Sequence, residues 1–342
     1  MSLQAAVPSW PASVAALLLV CCHGSALAAE RPDWAFFVPS AESAQLPPTS
    51  RGDARHTWHA PGSPRSYSSA EIHDVLSPPD WYPAEHPEMP PVVAHGSTPA
   101  TGAPPLLPCA LCHLPNGAGH AESASLAGLP VDYIVRQFDE QRSGTRRIVV
   151  GNVGTAHFLT ALKSAYPPDQ ILDAARYYAS LKPRRWIRVI ETTTVPRSAV
   201  DPATLMRRVI PGGREPLGQR IVELPENETA LLNRDSHSGY VAYVPKGSVA
   251  AGKALVVAGA PGTGIPCTTC HGPQLSGYGT MPSLAGRSPS YLVRQLWAFQ
   301  SGDRHGSMAG AMQVVASRLS TDQMLAIAAY VASLPEGSGN AR

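Results

Sequence analysis

The sequence predicts a mainly α-helical protein: one helical module present twice in tandem, a small β-containing insert between the copies, and a Pro-rich N-terminal arm. Three observations predict it. Pro108-Cys109-Ala110-Leu111-Cys112-His113 and Pro266-Cys267-Thr268-Thr269-Cys270-His271 share one construction, and placing Cys109 on Cys267 sets an offset of 158 residues. At that offset Ser125-Leu126-Ala127-Gly128 falls on Ser283-Leu284-Ala285-Gly286, and Tyr133-Ile134-Val135-Arg136-Gln137 on Tyr291-Leu292-Val293-Arg294-Gln295. A second anchor, at an offset of 153, sets Asp169-Gln170 on Asp322-Gln323 and Ala179-Ser180-Leu181 on Ala332-Ser333-Leu334.

Taken in order, residues 1–28 read as a secretory signal. Val14 to Cys22 is an apolar run too short to span a bilayer, and Ala26-Leu27-Ala28 is an A-x-A cleavage site. No Lys or Arg precedes the run, which is unusual for such a segment. Cleavage would remove Cys21 and Cys22 and leave Cys109, Cys112, Cys267 and Cys270. After its removal no segment is apolar and long enough to be transmembrane, so an exported, periplasmic protein is expected. The net charge of +2 is too mild to argue for nucleic acid.

Residues 29–87 form the Pro-rich arm, expected to lie extended over a domain. Its aromatic residues, Trp34, Phe36, Phe37, Trp58, Trp81 and Tyr82, argue against a wholly free tail. The first module spans 88–183. Ile134 and Phe138 share a helical face over 130–142. Ile171, Ala174, Ala175, Tyr178 and Ala179 mark an amphipathic helix that starts at Pro167-Pro168 and stops before Pro183. In the insert, 184–246, Trp186 to Glu191, Gln219 to Glu223 and Tyr240 to Val244 read as short strands. Eight arginines between Arg184 and Arg220 give it a basic face. The second module spans 247–342. It should hold a helix over Val249 to Ala258 with Ser248 as N-cap, a second over 289–300, and a last one opened by the capping box Ser320-Thr321-Asp322-Gln323.

The repeated Cys-x-x-Cys-His is the attachment sequence for a c-type haem. Two thiols at that spacing can each add to one vinyl group of the same porphyrin, and the adjacent histidine supplies a ligand to the iron. Two covalently attached haems c are therefore expected, one on Cys109 and Cys112 with His113, the other on Cys267 and Cys270 with His271.

Beyond that motif, His271-Gly272, Pro282 to Gly286, Tyr291 to Leu296, Phe299 to Arg304, and Met308 with Met312 before a capped helix together resemble class I cytochromes c. They are most similar to the two-haem cytochrome c4 type, over residues 88–183 and 247–342. The resemblance implies two such haem domains and places the second iron's sixth ligand eight residues before Ser320, at Met312 rather than Met308. The first module departs from the pattern, because no methionine lies between Met89 and Met206. The equivalent position is Leu159, in a loop five residues longer than its counterpart, and His157 is the expected replacement. His120, Met89, His95 or an open site are the alternatives.

The function this implies is electron relay. A soluble exported carrier would take single electrons from a donor redox protein, such as a quinol-oxidising complex or a dehydrogenase, and pass them to an acceptor in a respiratory chain. Two other classes remain open: a haem enzyme acting on peroxide or sulfur compounds at the first haem, and a cytochrome subunit fixed to a dehydrogenase.

Overall fold

A computed structural model describes residues 31–49, 56–98, 105–148 and 153–336. The expected signal segment, with Cys21 and Cys22, lies outside them. The arm supplies β1 (Thr57–His59), β2 (Ser66–Ser68), α1 (Ser69–Ile72) and, past its end, α2 (Pro91–Ala94). Then follow α3 (Ala110–His113), α4 (Val131–Arg142), α5 (Val153–Ala165) and α6 (Pro168–Ser180). Next come β3 (Ile187–Glu191), β4 (Thr194–Val200), β5 (Arg207–Pro216), β6 (Val222–Pro225), α7 (Glu228–Leu232) and β7 (Tyr240–Val244). The C-terminal third holds α8 (Ser248–Ala258), α9 (Thr268–His271), α10 (Pro289–Ser301), α11 (Gly310–Ala316) and α12 (Thr321–Ser333). The protein is helix-rich, and no helix among the described residues is long and apolar enough to cross a membrane.

The helices start and stop for legible reasons. Proline at the N-cap and first turn of α6 presets the backbone and leaves no donor wanting. Ser320 Oγ accepts from Gln323 N at 3.2 Å and Gln323 Oε1 from Ser320 N at 2.9 Å, so the capping box on α12 forms as expected. The start of α8 differs from expectation. Ser248 is its first helical residue, and the cap is Gly247 in the left-handed region (φ +84°) with no side-chain bond. α8 crosses α12 so closely that a Cβ on Gly252 would sit 1.9 Å from the Ala326 carbonyl oxygen. Only a hydrogen fits there. The core around that crossing gathers Val256, Leu292, Val293, Met324, Leu325 and Ala328.

In the insert, β7 pairs with β3 in parallel and with β6 antiparallel. A second, unanticipated pair is the antiparallel hairpin β4–β5, with a register shift between Pro196 and Ser198. The arm is anchored at several points. Phe36 is buried in the C-terminal core, its ring edge-on to Trp297 at 5.7 Å, and Arg294 Nη1 donates to the Ala35 carbonyl at 2.7 Å. Phe37 packs with Leu114, Ala118 and Trp186. Trp81 is buried with Ile72 and Tyr82 and donates through Nε1 to Asn233 O at 3.0 Å.

Candidate functional site

The two Cys-x-x-Cys-His stretches fold alike. Cys109 (φ −61°, ψ −33°) and Cys267 (φ −60°, ψ −31°) each open a single helical turn, α3 and α9. Each first cysteine is tied back to the helix before it, Cys109 N to Val92 O and Cys267 N to Val256 O, both at 3.0 Å. The turn is closed by His113 N to Cys109 O at 2.9 Å and His271 N to Cys267 O at 3.1 Å. The four thiols are free, with no disulfide between them.

The histidine rings are aimed the same way. His113 Nδ1 donates to Ala124 O at 2.8 Å, and His271 Nδ1 donates to Pro282 O at 3.0 Å. Ala124 and Pro282 are separated by the same 158 residues as the motifs themselves. A carbonyl can only accept, so each Nδ1 carries the proton and each Nε2 keeps its lone pair. Burial pushes His113 down to about 4 and lowers His271, so both rings are neutral and ready to ligate. Burial also lifts Cys109 to about 12 and raises Cys112 and Cys267. Paired free thiols on one turn beside an oriented, neutral imidazole are the donor set a haem c requires.

One difference separates the turns. After His271 comes Gly272 at φ +77°, but after His113 comes Leu114 at φ +61°, ψ +158°, a region nearly reserved for glycine. Burial of the Leu114 side chain beside Phe37 and Trp186 holds it there.

Of the remaining expected residues, Met312 lies on α11, half-buried against Phe299, Ala309 and Ala316, whereas Met308 is 53% exposed. His157 lies on α5 and is exposed, as is Phe158 next to it. His120 is buried; its ring is hydrogen-bonded to the Cys112 backbone, and burial pushes it down to about 3. Met89 packs, as Cys109 does, against the buried cluster of Val93, Ala110 and Tyr178, while His95 is exposed.

Sequence reasoning missed what joins the two repeats. Arg146 donates to Gln137 Oε1 and Gln295 Oε1, both at 2.9 Å, and to Tyr291 Oη at 3.2 Å. Arg304 donates to Gln295 Oε1 at 3.1 Å, Gln137 Oε1 at 2.6 Å and Tyr133 Oη at 3.0 Å. The two arginines also form an antiparallel bridge, flanked by Arg147 N to Asp303 O at 2.7 Å and His305 N to Thr145 O at 2.8 Å. Both guanidiniums are buried, and neither has a salt-bridge carboxylate among the described residues. The available signal was that Tyr, Gln and Arg all recur at the 158 offset.

The cytochrome c family model matches residues 249–335. Cytochrome c-554(547) of Halothiobacillus neapolitanus is 36% identical over 96 residues, 26% of this chain and 98% of that one. The thiosulfate dehydrogenase electron acceptor of Thiomonas intermedia strain K12 is 28% identical over 241 residues, 69% of this chain and 82% of that one. Cytochrome c4 of Azotobacter vinelandii is 25% identical over 232 residues, 66% of this chain and 84% of that one.

Proposed function

The chain belongs to the class I c-type cytochromes and is cytochrome c4-like, and from that premise we propose that it is an exported, periplasmic carrier holding two haems c. Membership brings covalent haem c and electron transfer; the number of haems, the residues that hold them and the partners are our reading. The observation that carries it is the recurrence, 158 residues apart, of one turn with two free thiols and an imidazole fixed through Nδ1.

Bound haem supplies one-electron iron chemistry. The chain does the rest. Cys109 and Cys112 would hold the first haem with His113 as ligand, in a domain over 88–183. Cys267 and Cys270 would hold the second with His271, in a domain over 247–342, and the insert 184–246 lies between. Met312, packed against Phe299 and Ala316, would complete the second site, and its thioether would raise the potential. The buried guanidiniums of Arg146 and Arg304 would offset propionate charge between the two domains. The aligned relative from Thiomonas intermedia bears the name of an electron acceptor for a thiosulfate dehydrogenase. A dehydrogenase of that kind is our proposed donor, and a further redox protein the acceptor.

Expression of the full chain in a host able to attach haem c tests this by intact mass. Two haem increments are expected, and one in the Cys109→Ser/Cys112→Ser variant. A wild-type mass carrying fewer than two would overturn the assignment. Stopped-flow mixing with a thiosulfate dehydrogenase and thiosulfate should reduce the haems; no reduction would remove that donor.

A further inference from the structure

The first module has no methionine at the position matching Met312, and α5 shows what stands there. Carrying the 153 offset of α6 and α12 back one helix sets Leu159 on Met312 and Lys163 on Ala316. Ala316 is fully buried and packs with Met312 and Phe299, so this is an inward-facing position. Residues 159 and 163 are one helical turn apart and share a face. His157 is two residues from Leu159, about 200° round the helix, and it is exposed. Lys163 is partly covered and donates from Nζ to Gln141 Oε1 on α4. Leu162, its neighbour on α5, packs against the same cluster as Cys109, and the Lys163 charge bears on Cys112 and His113, so this end of α5 lies by the first turn.

Such a lysine is costly where it stands. Its hydrogen-bond partner is a neutral amide, and among the described residues it has no salt bridge. A covered ammonium without a carboxylate is unfavourable unless it sheds its proton or finds another ligand. A metal satisfies both conditions. We propose that the Lys163 amine is the sixth ligand of the haem held by Cys109, Cys112 and His113, giving the first site histidine–lysine coordination and the second histidine–methionine. The inference rests on the reading that residues 109–113 carry a haem. Burial pushes Lys163 down to about 7, which makes the neutral amine accessible near neutral pH. His120 does not compete, since its ring is engaged with the Cys112 backbone in the loop of His113 itself.

The test uses the oxidised full-length holoprotein, by electron-spin resonance and near-infrared magnetic circular dichroism. The wild type should show two low-spin ferric haems of different ligand class. Lys163→Ala should change one set of signals and leave the other intact, while His157→Ala and Met89→Leu change neither. Lys163→Met, which keeps an apolar side chain of similar length, should move the first haem to the spectrum of the second and raise its potential. Unchanged signals in both Lys163 variants would overturn the proposal, as would loss of the first set in His157→Ala. Intact mass keeps the two readings apart: fewer than two haems in the wild type sinks the attachment assignment, whereas two haems with an unmoved spectrum sinks only the ligand.

Discussion

Arg146 and Arg304 hold each other's repeat: Arg146 donates to Gln295 at 2.9 Å and Arg304 to Gln137 at 2.6 Å. The exchange is reciprocal, and each arginine also reaches the tyrosine one turn before the other's glutamine. Residues that recur in both halves of the chain therefore meet across the junction, and one short signature serves both repeats.

Because both guanidiniums are buried and each makes three hydrogen bonds, truncating either should be costly. Arg146→Met or Arg304→Met is expected to lower stability by about 2–4 kcal/mol, read from denaturant midpoints. The double variant should lose less than the sum, because the two share Gln137 and Gln295. Additive losses would show that the network is not a unit.

The crossing of α8 and α12 leaves no room at Gly252. Gly252→Val should destabilise by about 3 kcal/mol, because the obstacle is backbone rather than a side chain that can swing away. Thermal unfolding that matches the wild type would mean the helices can part freely.

Met312 and Met308 separate cleanly by environment. Met312→Ala should abolish the sulfur-to-iron charge-transfer band and lower the potential of one haem. Met308→Ala should do neither. A redox titration beside the absorption spectrum decides it, and the reverse outcome would move the ligand to Met308.

Glu223 is buried, and burial raises its carboxyl above the ordinary value against the hydrogen bonds donated by Ser290 and Ser288. The folded state therefore binds this proton more tightly than the unfolded one. Its stabilising share is complete below the unfolded value of about 4.3 and is lost as pH rises through the folded one. Glu223→Gln keeps an acceptor for Ser288 and Ser290, so the variant should lose less stability than the wild type between that pH and neutrality. Denaturant midpoints over this range test it; parallel curves would show that the carboxyl does not titrate there.

What was legible beforehand follows from period and punctuation. The faces of α4, α6, α10 and α12 are written in apolar spacing and in caps such as Pro167 and Ser320. The turns α3 and α9 are written in their cysteines. The hairpin β4–β5 was not, because Pro196, Pro211, Gly212 and Pro216 read as turn residues and much of β5 is exposed. Nor was α5 (Val153–Ala165), whose inward face holds a lysine where a hydrophobe belongs. The Arg146–Arg304 pairing was hidden for a simpler reason. Periodicity reports what faces a core, and these polar side chains face another copy of themselves.

Ala35 and Phe36 stand among the earliest described residues, yet they plug a core whose other walls come from the far end of the chain. A polypeptide delivered amino end first must leave that aromatic hook idle until nearly everything else has arrived. Closing so wide a circuit adds little entropy per extra residue but delays the event. The hook is thus a completion signal: clipping it off would leave the last third ajar.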